Sequence, residues 1–393
     1  MDKWNMVKLS DVFTLQMGKT PSRNNPDYWN GNHKWLSIAD FGMNGKYINK
    51  TKECITDAAV AESGIKATPH NTVVMSFKLS IGKTAITVKD IFTNEAIMSF
   101  IDKGTYPIDV NYIYHLFSGK DWSKGTNKAV MGTTLNKATL SQTTIPLPPI
   151  ESQYQIADNL EKVSKLIDIC NTILNKLDIL VKSRFVEMFG DPNTNSMGWE
   201  CCELGACLES IDNGKSYVCD NYCRTGDNPA ILKLSAVTYG VYNPDENKAM
   251  IDEDLFDESS EVKDSDLLFT RKNTPDLVGM SAYVFSTPPK LMMPDLIFRL
   301  NVKSTCNKKY LWKLINHDLF RPLIQNIANG SAKSMSNISK ERLSKLTIPV
   351  PPLTLQKQFA DFVAQTDKSK LAVKQILEKA ETLKKSLMQE YFG

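Results

Sequence analysis

The 393-residue sequence predicts an α+β protein in which two mixed α/β domains are separated by two long helices that form an antiparallel coiled coil, in a pseudo-twofold internal repeat. Three observations support this prediction. A proline-rich block is present twice at a constant offset, and a heptad pattern of apolar residues follows each copy. Short strand-like runs bounded by polar loops precede each copy.

The repeated block is the strongest of these signals. "IPLPPIESQYQIADNLEK" begins at Ile145 and "IPVPPLTLQKQFADFVAQ" begins at Ile348, an offset of 203 positions without a gap. The same offset carries the "FG" after the first block onto the "FG" at the end of the sequence. The repeat predicts domains at 1–144 and 191–347, and spacer helices within 145–190 and 348–393.

A heptad seam runs along each spacer, since apolar residues recur alternately four and three positions apart. Pro148 and Pro149 favour a helix start and Gly190 a helix end, so 39 residues from Glu151 to Phe189 predict a rod of roughly 58 Å. The predicted coiled-coil interface consists of Ile156, Leu160, Val163, Ile167, Leu174, Leu177 and Val181 in the first helix, and Phe359, Val363, Val373, Leu377 and Leu387 in the second.

The apolar seam of each helix requires a partner, and the other copy in the same chain is the simplest one. Thr366, Lys370 and Lys384 interrupt the second seam. Packing about a pseudo-twofold axis makes the two helices antiparallel. The alternative is that each helix only covers its own domain.

The leading domains contain recognisable strands and loops. "HNTVVMSFK", "DSDLLFTRK" and "LMMPDLIFRL" each predict a strand, whereas "QMGKTPSRNNPDYWNG" and "DNGKSYVCDNYCRTGDN" predict polar loops. "WECCEL" has the same tryptophan-to-leucine spacing as "WNMVKL". This spacing puts Cys201 and Cys202 at the strand positions of Met6 and Val7.

Composition indicates a globular cytoplasmic protein. The chain is 42% hydrophobic and 23% charged, its net charge is +3, and no window has the run of about 18 apolar residues that a membrane span needs. The first residues lack a signal peptide, so the eight cysteines are expected to be reduced. A zinc site between Cys201 and Cys223 is an alternative, although the spacing fits no common ligand pattern.

Catalytic motifs are not evident in the sequence. "NPDY", from Asn25 to Tyr28, resembles the NPPY motif of adenine methyltransferases but lacks its second proline, and we interpret it as a turn. "PDENK" places its acidic residues in one turn, whereas a nuclease metal site needs carboxylates from separate strands. Four scattered histidines offer no ligand set, and no Walker loop is present.

Two divergent domains on a rigid spacer suit a long ligand that is read at two places, and duplex DNA fits this description. Such domains need lysine, arginine, hydroxyl and amide groups on loops to contact phosphates and bases. The candidate DNA-binding residues are Lys19, Thr20, Ser22, Arg23, Ser76, Lys78 and Lys83 in the first domain, and Lys215, Ser216, Arg271, Lys272, Asn273 and Lys333 in the second.

The order of these segments resembles the specificity subunit of type I restriction-modification systems. The resemblance covers essentially the whole chain, and its most specific pieces are the doubled proline-rich block, the "FGDPNTNSMGW" junction, and "WNMVKL" with "GKTPS" and Trp35 near the start. The second domain lacks the "TPS" after Gly214 and Lys215, so its loop contacts do not follow directly from the first domain.

The resemblance implies a non-catalytic subunit whose two target recognition domains each read half of an asymmetric bipartite DNA site. It implies that the long helices act as a ruler and bind two methyltransferase subunits, and that restriction subunits join them. The partner subunits, and not this chain, would use S-adenosylmethionine, ATP and Mg²⁺. The bases of each half-site and the spacer length do not follow from one sequence.

Two alternatives remain open from the sequence. Beside the type I specificity subunit, the first is the specificity component of a type II-like system with a fused methylase-nuclease partner, and the second is a coiled-coil scaffold whose end domains bind proteins. Neighbouring reading frames distinguish the first alternative. Alanine at Arg271 and Lys272 distinguishes the second, because a scaffold would keep its DNA affinity unchanged.

Overall fold

The computed structural model describes residues 4–78, 80–122, 127–129, 132–329 and 335–393, and for 127–129 and 132–134 it describes the backbone. The chain divides into two compact units. Unit 1 comprises Met1–Asn171 with Gln375–Gly393, and unit 2 comprises Thr172–Lys374. Each unit therefore contains one leading domain and part of both long helices.

The domain of unit 1 is built on a five-stranded sheet in the order β2-β9-β6-β7-β4 and a three-stranded sheet in the order β5-β3-β8. Its strands are β1 (Met6–Lys8), β2 (Phe13–Met17), β3 (Trp29–Leu36), β4 (Tyr47–Ile48), β5 (Glu53–Ile55), β6 (Val73–Ser76), β7 (Thr84–Thr87), β8 (Phe92–Thr93), β9 (Ile97–Asp102), β10 (Asn127–Ala129), β11 (Gly132–Thr134) and β12 (Thr144–Pro146). Its helices are α1 (Leu9–Val12), α2 (Asp57–Ser63), α3 (Val110–Gly119) and α4 (Lys137–Gln142), followed by the long helix α5 (Ile150–Phe189).

The domain of unit 2 has a four-stranded sheet in the order β14-β21-β17-β19 and a three-stranded sheet in the order β16-β15-β20. Its strands are β13 (Cys201–Glu203), β14 (Leu208–Asn213), β15 (Ala230–Leu232), β16 (Asn247–Ala249), β17 (Leu267–Thr270), β18 (Lys272–Asn273), β19 (Ser281–Tyr283), β20 (Leu291–Met292), β21 (Ile297–Val302), β22 (Ser336–Asn337) and β23 (Thr347–Pro349). Its helices are α6 (Ser235–Thr238), α7 (Lys308–Ile315), α8 (Arg321–Asn326) and α9 (Lys340–Ser344), followed by the long helix α10 (Leu353–Phe392).

The two domains repeat one strand plan, which confirms the predicted mixed α/β fold and its internal repeat. The order β2-β9-β6-β7 in unit 1 corresponds to β14-β21-β17-β19 in unit 2. The pairing of Val7 with Ile145 recurs as the pairing of Cys202 with Ile348. Cys201 and Cys202 thus occupy the strand positions that the "WECCEL" spacing predicted.

One strand prediction was wrong in its extent. "LMMPDLIFRL" forms two strands in different sheets, β20 and β21, with a turn at Asp295 and Leu296 between them, in which the Ile297 N–H donates to the Pro294 carbonyl at 3.1 Å. Pro294 has no N–H to donate to a neighbouring strand, so the ladder is interrupted there. The turn carries Ile297 to the start of the central strand β21.

The repeated proline-rich block docks the start of a long helix onto its domain. In unit 1, the buried Gln153 accepts a hydrogen bond from the Asp109 main-chain N–H at 2.9 Å and donates one to the Pro148 carbonyl at 2.8 Å. The Tyr112 hydroxyl donates to the Pro146 carbonyl at 2.8 Å. Buried main-chain carbonyls need a hydrogen-bond donor, and these contacts supply one to Pro146 and one to Pro148 in the extended segment before the helix.

Unit 2 repeats this docking with different neighbours. The buried Gln356 accepts from the Asn307 N–H at 2.9 Å and donates to the Pro351 carbonyl at 2.7 Å. The Tyr310 hydroxyl donates to the Pro349 carbonyl at 2.8 Å. The doubled glutamine and prolines in the sequence therefore encode one hydrogen-bonded junction used twice.

Both long helices have 40 residues, which corresponds to roughly 60 Å each. In unit 2 the helices are antiparallel, because Phe189 packs against Phe359 with ring centroids 5.3 Å apart, and Asp178 pairs with Lys370. In unit 1 the side-chain amide of Asn159 donates to the Tyr391 hydroxyl at 3.3 Å. Within each unit, the contacts between the two long helices are therefore antiparallel, as the sequence predicts.

Helix α5 contributes to both units. Its residues Phe185 and Phe189 pack on Tyr310 of the second domain, with ring centroids 5.7 Å and 4.9 Å away. Aromatic pairs of this geometry each contribute about 1 kcal/mol beyond the area that they bury. The alternative in which each long helix only covers the domain that precedes it is therefore wrong.

The predicted seam residues are all shielded from solvent to some extent, and apolar residues on the other faces of α5 are exposed. Their assignment to a coiled-coil interface remains our proposal. Buried seam residues are Ile156, Leu160, Val163, Val181, Phe359 and Val363, and half-buried ones are Ile167, Leu174, Leu177, Val373, Leu377 and Leu387. Exposed apolar residues of α5 include Leu166, Ile169, Ile173, Ile179, Leu180 and Val186.

A buried histidine lies where α3 meets α5 in unit 1. His115 Nε2 is 3.4 Å from a carboxylate oxygen of Glu161, which also pairs with Lys46. Burial, followed by the charge of Lys46, lowers the pKa of His115 to about 4, and Lys384 acts in the same direction. His115 is therefore neutral in the folded protein at pH 7.

We expect this histidine to make unit 1 acid-sensitive. An unfolded histidine has a pKa of about 6.5, so the unfolded state binds a proton first, and stability is lost as the pH falls from about 6.5 towards 4. The unfolding free energy of wild type should fall by about 1–3 kcal/mol more over this range than that of His115→Gln. Chemical denaturation at a series of pH values measures the difference, and parallel pH profiles would contradict it.

Candidate nucleic-acid interface

In unit 1, the loops that carry the predicted basic residues leave one end of the main sheet. Strand β9 lies between β2 and β6, and it starts where these two strands end, since Met17 pairs with Met98 and Ser76 pairs with Ile97. The loop after β2 contains Lys19 to Arg23, and the loop after β6 contains Lys78 and Lys83. The fold thereby brings together two segments that are far apart in the sequence.

Unit 2 has the same arrangement. Asn213 at the end of β14 pairs with Phe298, and Thr270 at the end of β17 pairs with Ile297. The loops with Lys215 and with Arg271 therefore leave the same end of the second main sheet. The corresponding ends of the two sheets carry the candidate contacts in both domains.

A glycine-lysine turn begins the first loop of unit 1. The Lys19 N–H donates to the Thr93 carbonyl at 2.8 Å. A Cβ atom at Gly18 would lie 2.2 Å from that carbonyl oxygen, closer than real Cβ atoms approach, so the turn requires glycine. Gly18 therefore allows the chain to turn away from the sheet just before Lys19.

The equivalent turn in unit 2 keeps this geometry even though the "TPS" letters are absent. The Lys215 N–H donates to the Met293 carbonyl at 3.0 Å. A Cβ atom at Gly214 would lie 2.2 Å from the Pro294 carbonyl oxygen. Backbone geometry is thus shared between the domains, although the following residues differ.

A hydroxyl-carboxylate contact follows each turn. The Thr20 hydroxyl donates to Glu95, and the Ser216 hydroxyl donates to Asp295. Glu95 lies two positions before the first residue of β9, and Asp295 lies two positions before the first residue of β21. The sequence reasoning missed these acids, and their common position in "NEAI" and "PDLI" was the available signal.

Arg23 is held by both an acidic and an aromatic side chain. It pairs with Glu53 through two hydrogen bonds, one of them 2.9 Å long, and its guanidinium lies 3.8 Å from the centre of the Trp29 ring. The hydrogen bond from Arg23 lowers the pKa of Glu53, so this carboxylate is ionised. Such planar, bidentate pairing orients the arginine but also engages it in the free protein.

The other predicted cations of unit 1 have weaker attachments. The Lys19 ammonium donates to the Ser63 carbonyl, and the half-buried Lys78 lies 5.4 Å from the Phe77 ring. Lys83 and Ser22 are exposed. Lys83 and Ser22 are therefore accessible at the sheet end.

Lys215 in unit 2 has an acidic partner that was also missed. Its ammonium lies 2.7 Å from a carboxylate oxygen of Asp257. The hydrogen bond from Lys215, followed by that from Ser259, holds the pKa of Asp257 well below its usual value. The side chain of Lys272 is half-buried, and its backbone lies opposite Asn337 in the antiparallel pair of β18 and β22.

Three residues that the sequence predicts to bind DNA are not part of the interface that we propose. Ser76 is fully buried, and its hydroxyl accepts from the Lys83 N–H at 3.0 Å, so it shapes the loop. Asn273 is 7% exposed and its amide donates to the Thr238 hydroxyl at 3.1 Å. Lys333 lies outside the described residues.

The cysteines between Cys201 and Cys223 do not gather in one place. Cys202 and Cys207 have their sulfur atoms 3.6 Å apart, whereas the thiols of Cys219 and Cys223 contact main-chain carbonyls elsewhere. Among the described residues, no group of three histidine, cysteine, aspartate or glutamate side chains is arranged to bind a metal ion.

No helix in the described part of the chain is both long enough and apolar enough to cross a bilayer.

The chain thus consists of two copies of one domain, each with basic loops at the same end of its main sheet, and two long helices. The chain belongs to the family of the type I restriction modification DNA specificity domain, whose family model matches residues 1–178 and 197–382. These two segments correspond to the two copies of the repeat.

Individual relatives agree with this assignment. The chain is 28% identical to the "Type I restriction enzyme MjaIX specificity subunit" of Methanocaldococcus jannaschii over 54% of this chain and 53% of that protein. It is 32% identical to the "Type I restriction enzyme EcoEI specificity subunit" of Escherichia coli over 41% of this chain and 27% of that protein. The matched regions thus span about half, or less, of the length of these curated relatives.

A solved structure has the same fold. The crystal structure of the type I restriction-modification system S subunit from M. genitalium aligns over 100% of this chain and 97% of that chain, with a TM-score of 0.61 and 12% identity. At this identity the likeness concerns the fold alone.

Proposed function

We propose that this chain is the DNA-recognition subunit of a type I restriction-modification complex and reads an asymmetric bipartite site. The observation that carries the proposal is that the same backbone turn occurs in both units but has different neighbouring residues. Both units present a glycine-lysine turn at the same sheet end, but Arg23 on Trp29 borders it in unit 1 and Arg271 borders it in unit 2. One scaffold with two different reading surfaces suits two unlike half-sites.

The proposed DNA contacts combine phosphate and base binding. In this proposal 1–144 and 191–347 act as target recognition domains. Lysines and hydroxyls of the sheet-end loops bind phosphates, and the arginines reach base edges. The proposed contacts are Lys19, Thr20, Ser22, Arg23, Lys78, Lys83, Lys215, Ser216, Arg271 and Lys272.

The long helices would act as the spacer, within 145–190 and 348–393, and as the docking surface for partner subunits. Leu166, Ile169 and Ile173 of α5 are exposed, and such apolar surface suits a protein partner. In our proposal two methyltransferase subunits bind there, and restriction subunits join them. The chain itself would be non-catalytic and cytoplasmic, and its partners would use S-adenosylmethionine, ATP and Mg²⁺.

Methylation-resolving sequencing of the source genome, with and without this gene, tests the proposal. We expect methyladenine to disappear from one asymmetric bipartite motif when the gene is deleted, and to return when it is restored on a plasmid. If a plasmid that supplies this gene together with methyltransferase subunits creates no methylated motif, the proposed function is wrong.

Binding of the assembled complex to its DNA should depend steeply on salt, because neutralising phosphates releases condensed counterions. With six or more phosphate contacts, the affinity should fall by about 1,000-fold between about 50 mM and 200 mM salt. Fluorescence anisotropy with a labelled duplex measures this dependence. A flat salt profile would exclude the proposed lysine contacts.

A further inference from the structure

Arg271 is held in place by neutral side chains on two sides. Its Nε and Nη2 atoms both donate to the side-chain oxygen of Asn337, and Nη1 donates to that of Asn213, each at 3.3 Å. The guanidinium lies 5.0 Å from the centre of the Phe298 ring. These partners belong to β22, β14 and β21, so three strands position one arginine at the sheet end.

These contacts leave part of the guanidinium unused. An arginine has five N–H donors, of which Arg271 uses three for Asn337 and Asn213. The two remaining donors belong one to each terminal nitrogen. A pair of donors so arranged matches two acceptors side by side, such as O6 and N7 of guanine in the major groove.

The charge of Arg271 is also uncompensated. Within the described residues, Arg271 has no carboxylate at ion-pair distance, whereas Arg23 has Glu53 and Lys215 has Asp257. Lys340 adds a second cation, with its ammonium 5.8 Å from the same Phe298 ring. Among the described residues neither cation forms an ion pair, although Glu341 lies next to Lys340 in the chain, so this corner of unit 2 is attractive to an electronegative ligand.

Unit 1 has no arginine at the equivalent position. The Phe77 N–H donates to the Ala96 carbonyl at 3.0 Å, and the Arg271 N–H donates to the Leu296 carbonyl at 3.0 Å, directly after equivalent strands. Phe77 is 1% exposed and belongs to the core. Unit 1 therefore has no oriented arginine at this strand end, and its oriented arginine, Arg23, lies in a different loop and is paired with Glu53.

We propose that Arg271 reads a guanine in the half-site bound by unit 2, with Asn213 and Asn337 as its positioning residues. The inference rests on the proposed function, because it needs a bipartite DNA site. It goes further by assigning one base type to one side chain. The half-site of unit 1 has no counterpart of this contact.

The test uses the full chain assembled with its partner subunits and the motif that wild type methylates. Arg271→Lys keeps the charge and removes the paired donors. We expect one G·C position in one half-site to become degenerate, with discrimination against other base pairs at that position reduced about 10-fold to 100-fold. Continued recognition of the other half-site shows that the variant is folded.

Two further variants serve as controls. One tests whether the orientation of Arg271 matters, and the other tests whether any loss of positive charge in unit 2 has the same effect. Asn337→Ala keeps Arg271 but removes its orienting acceptor, and it should lower discrimination at the same position by a smaller factor. Lys345→Gln removes an exposed positive charge from the same unit and should leave discrimination at that position as in wild type.

Two results would overturn the inference alone. One is a methylated motif that Arg271→Lys leaves unchanged. The other is an equal loss of affinity for all duplexes in Arg271→Gln with full affinity in Arg271→Lys, which identifies a phosphate contact. A wild-type complex that methylates no bipartite motif would overturn the proposed function and this inference with it.

Discussion

Replacing Gln356 with alanine is expected to lower the unfolding free energy of unit 2 by about 3 kcal/mol. The variant leaves the Asn307 N–H and the Pro351 carbonyl buried without the partners that they have at 2.9 Å and 2.7 Å. Each buried group that loses its partner carries a desolvation penalty of about 1–3 kcal/mol. Native-state hydrogen exchange measures the effect, because its peptides separate the two units.

The same helix offers a matched control. Gln358 is exposed two positions further on, so Gln358→Ala should change stability by no more than about 0.5 kcal/mol. Gln153→Ala should reproduce the loss in unit 1, where Gln153 makes the equivalent contacts. Equal protection in Gln356→Ala and Gln358→Ala would contradict the role given to the repeated glutamine.

Replacing Gly18 with alanine is expected to distort the loop after β2, which is the first of the proposed DNA-binding loops. The new Cβ atom would lie 2.2 Å from the Thr93 oxygen and 2.3 Å from the Asn94 oxygen, and main-chain atoms at a strand end cannot move aside easily. Relief of this clash should cost about 3 kcal/mol and move Lys19 and Thr20 from their positions. Denaturant unfolding and DNA binding of the assembled complex measure the two effects.

A second glycine of the same unit provides the control for this experiment. A Cβ atom at Gly45 would meet nothing within 4 Å, so Gly45→Ala should keep both stability and DNA affinity. We expect Gly18→Ala to weaken recognition of one half-site and to leave the other intact. Wild-type affinity in Gly18→Ala would show that the turn does not position DNA contacts.

The long elements of the fold were predictable because their signals are local. The seam period, the prolines before each helix and Gly190 after the first one predicted α5 from Glu151 to Phe189, and the helix spans Ile150–Phe189. Gly190 has a positive φ of 76°, which ends the helix as expected. The junction prolines and glutamines recur in the sequence because the same hydrogen bonds are made twice.

The site was predicted less completely, because exposure and pairing depend on chain segments that are distant in sequence. Ser76 and Asn273 follow a basic-loop pattern, yet the fold buries both. The acids that pair with the predicted cations, Glu53 and Asp257, lie 30 and 42 positions from Arg23 and Lys215. No local pattern could have connected them.

The sequence by itself determined the duplication, the two long helices, the strand plan at their junctions and the family resemblance, because each depends on residue type at fixed spacing. Only the tertiary structure decided which basic residues are available at the sheet ends and which are neutralised by acids. It alone oriented Arg271, since Asn213, Phe298 and Asn337 come from three strands that meet only after folding. The linear order of residues does not encode such convergent contacts locally, because their partners are distant in the sequence.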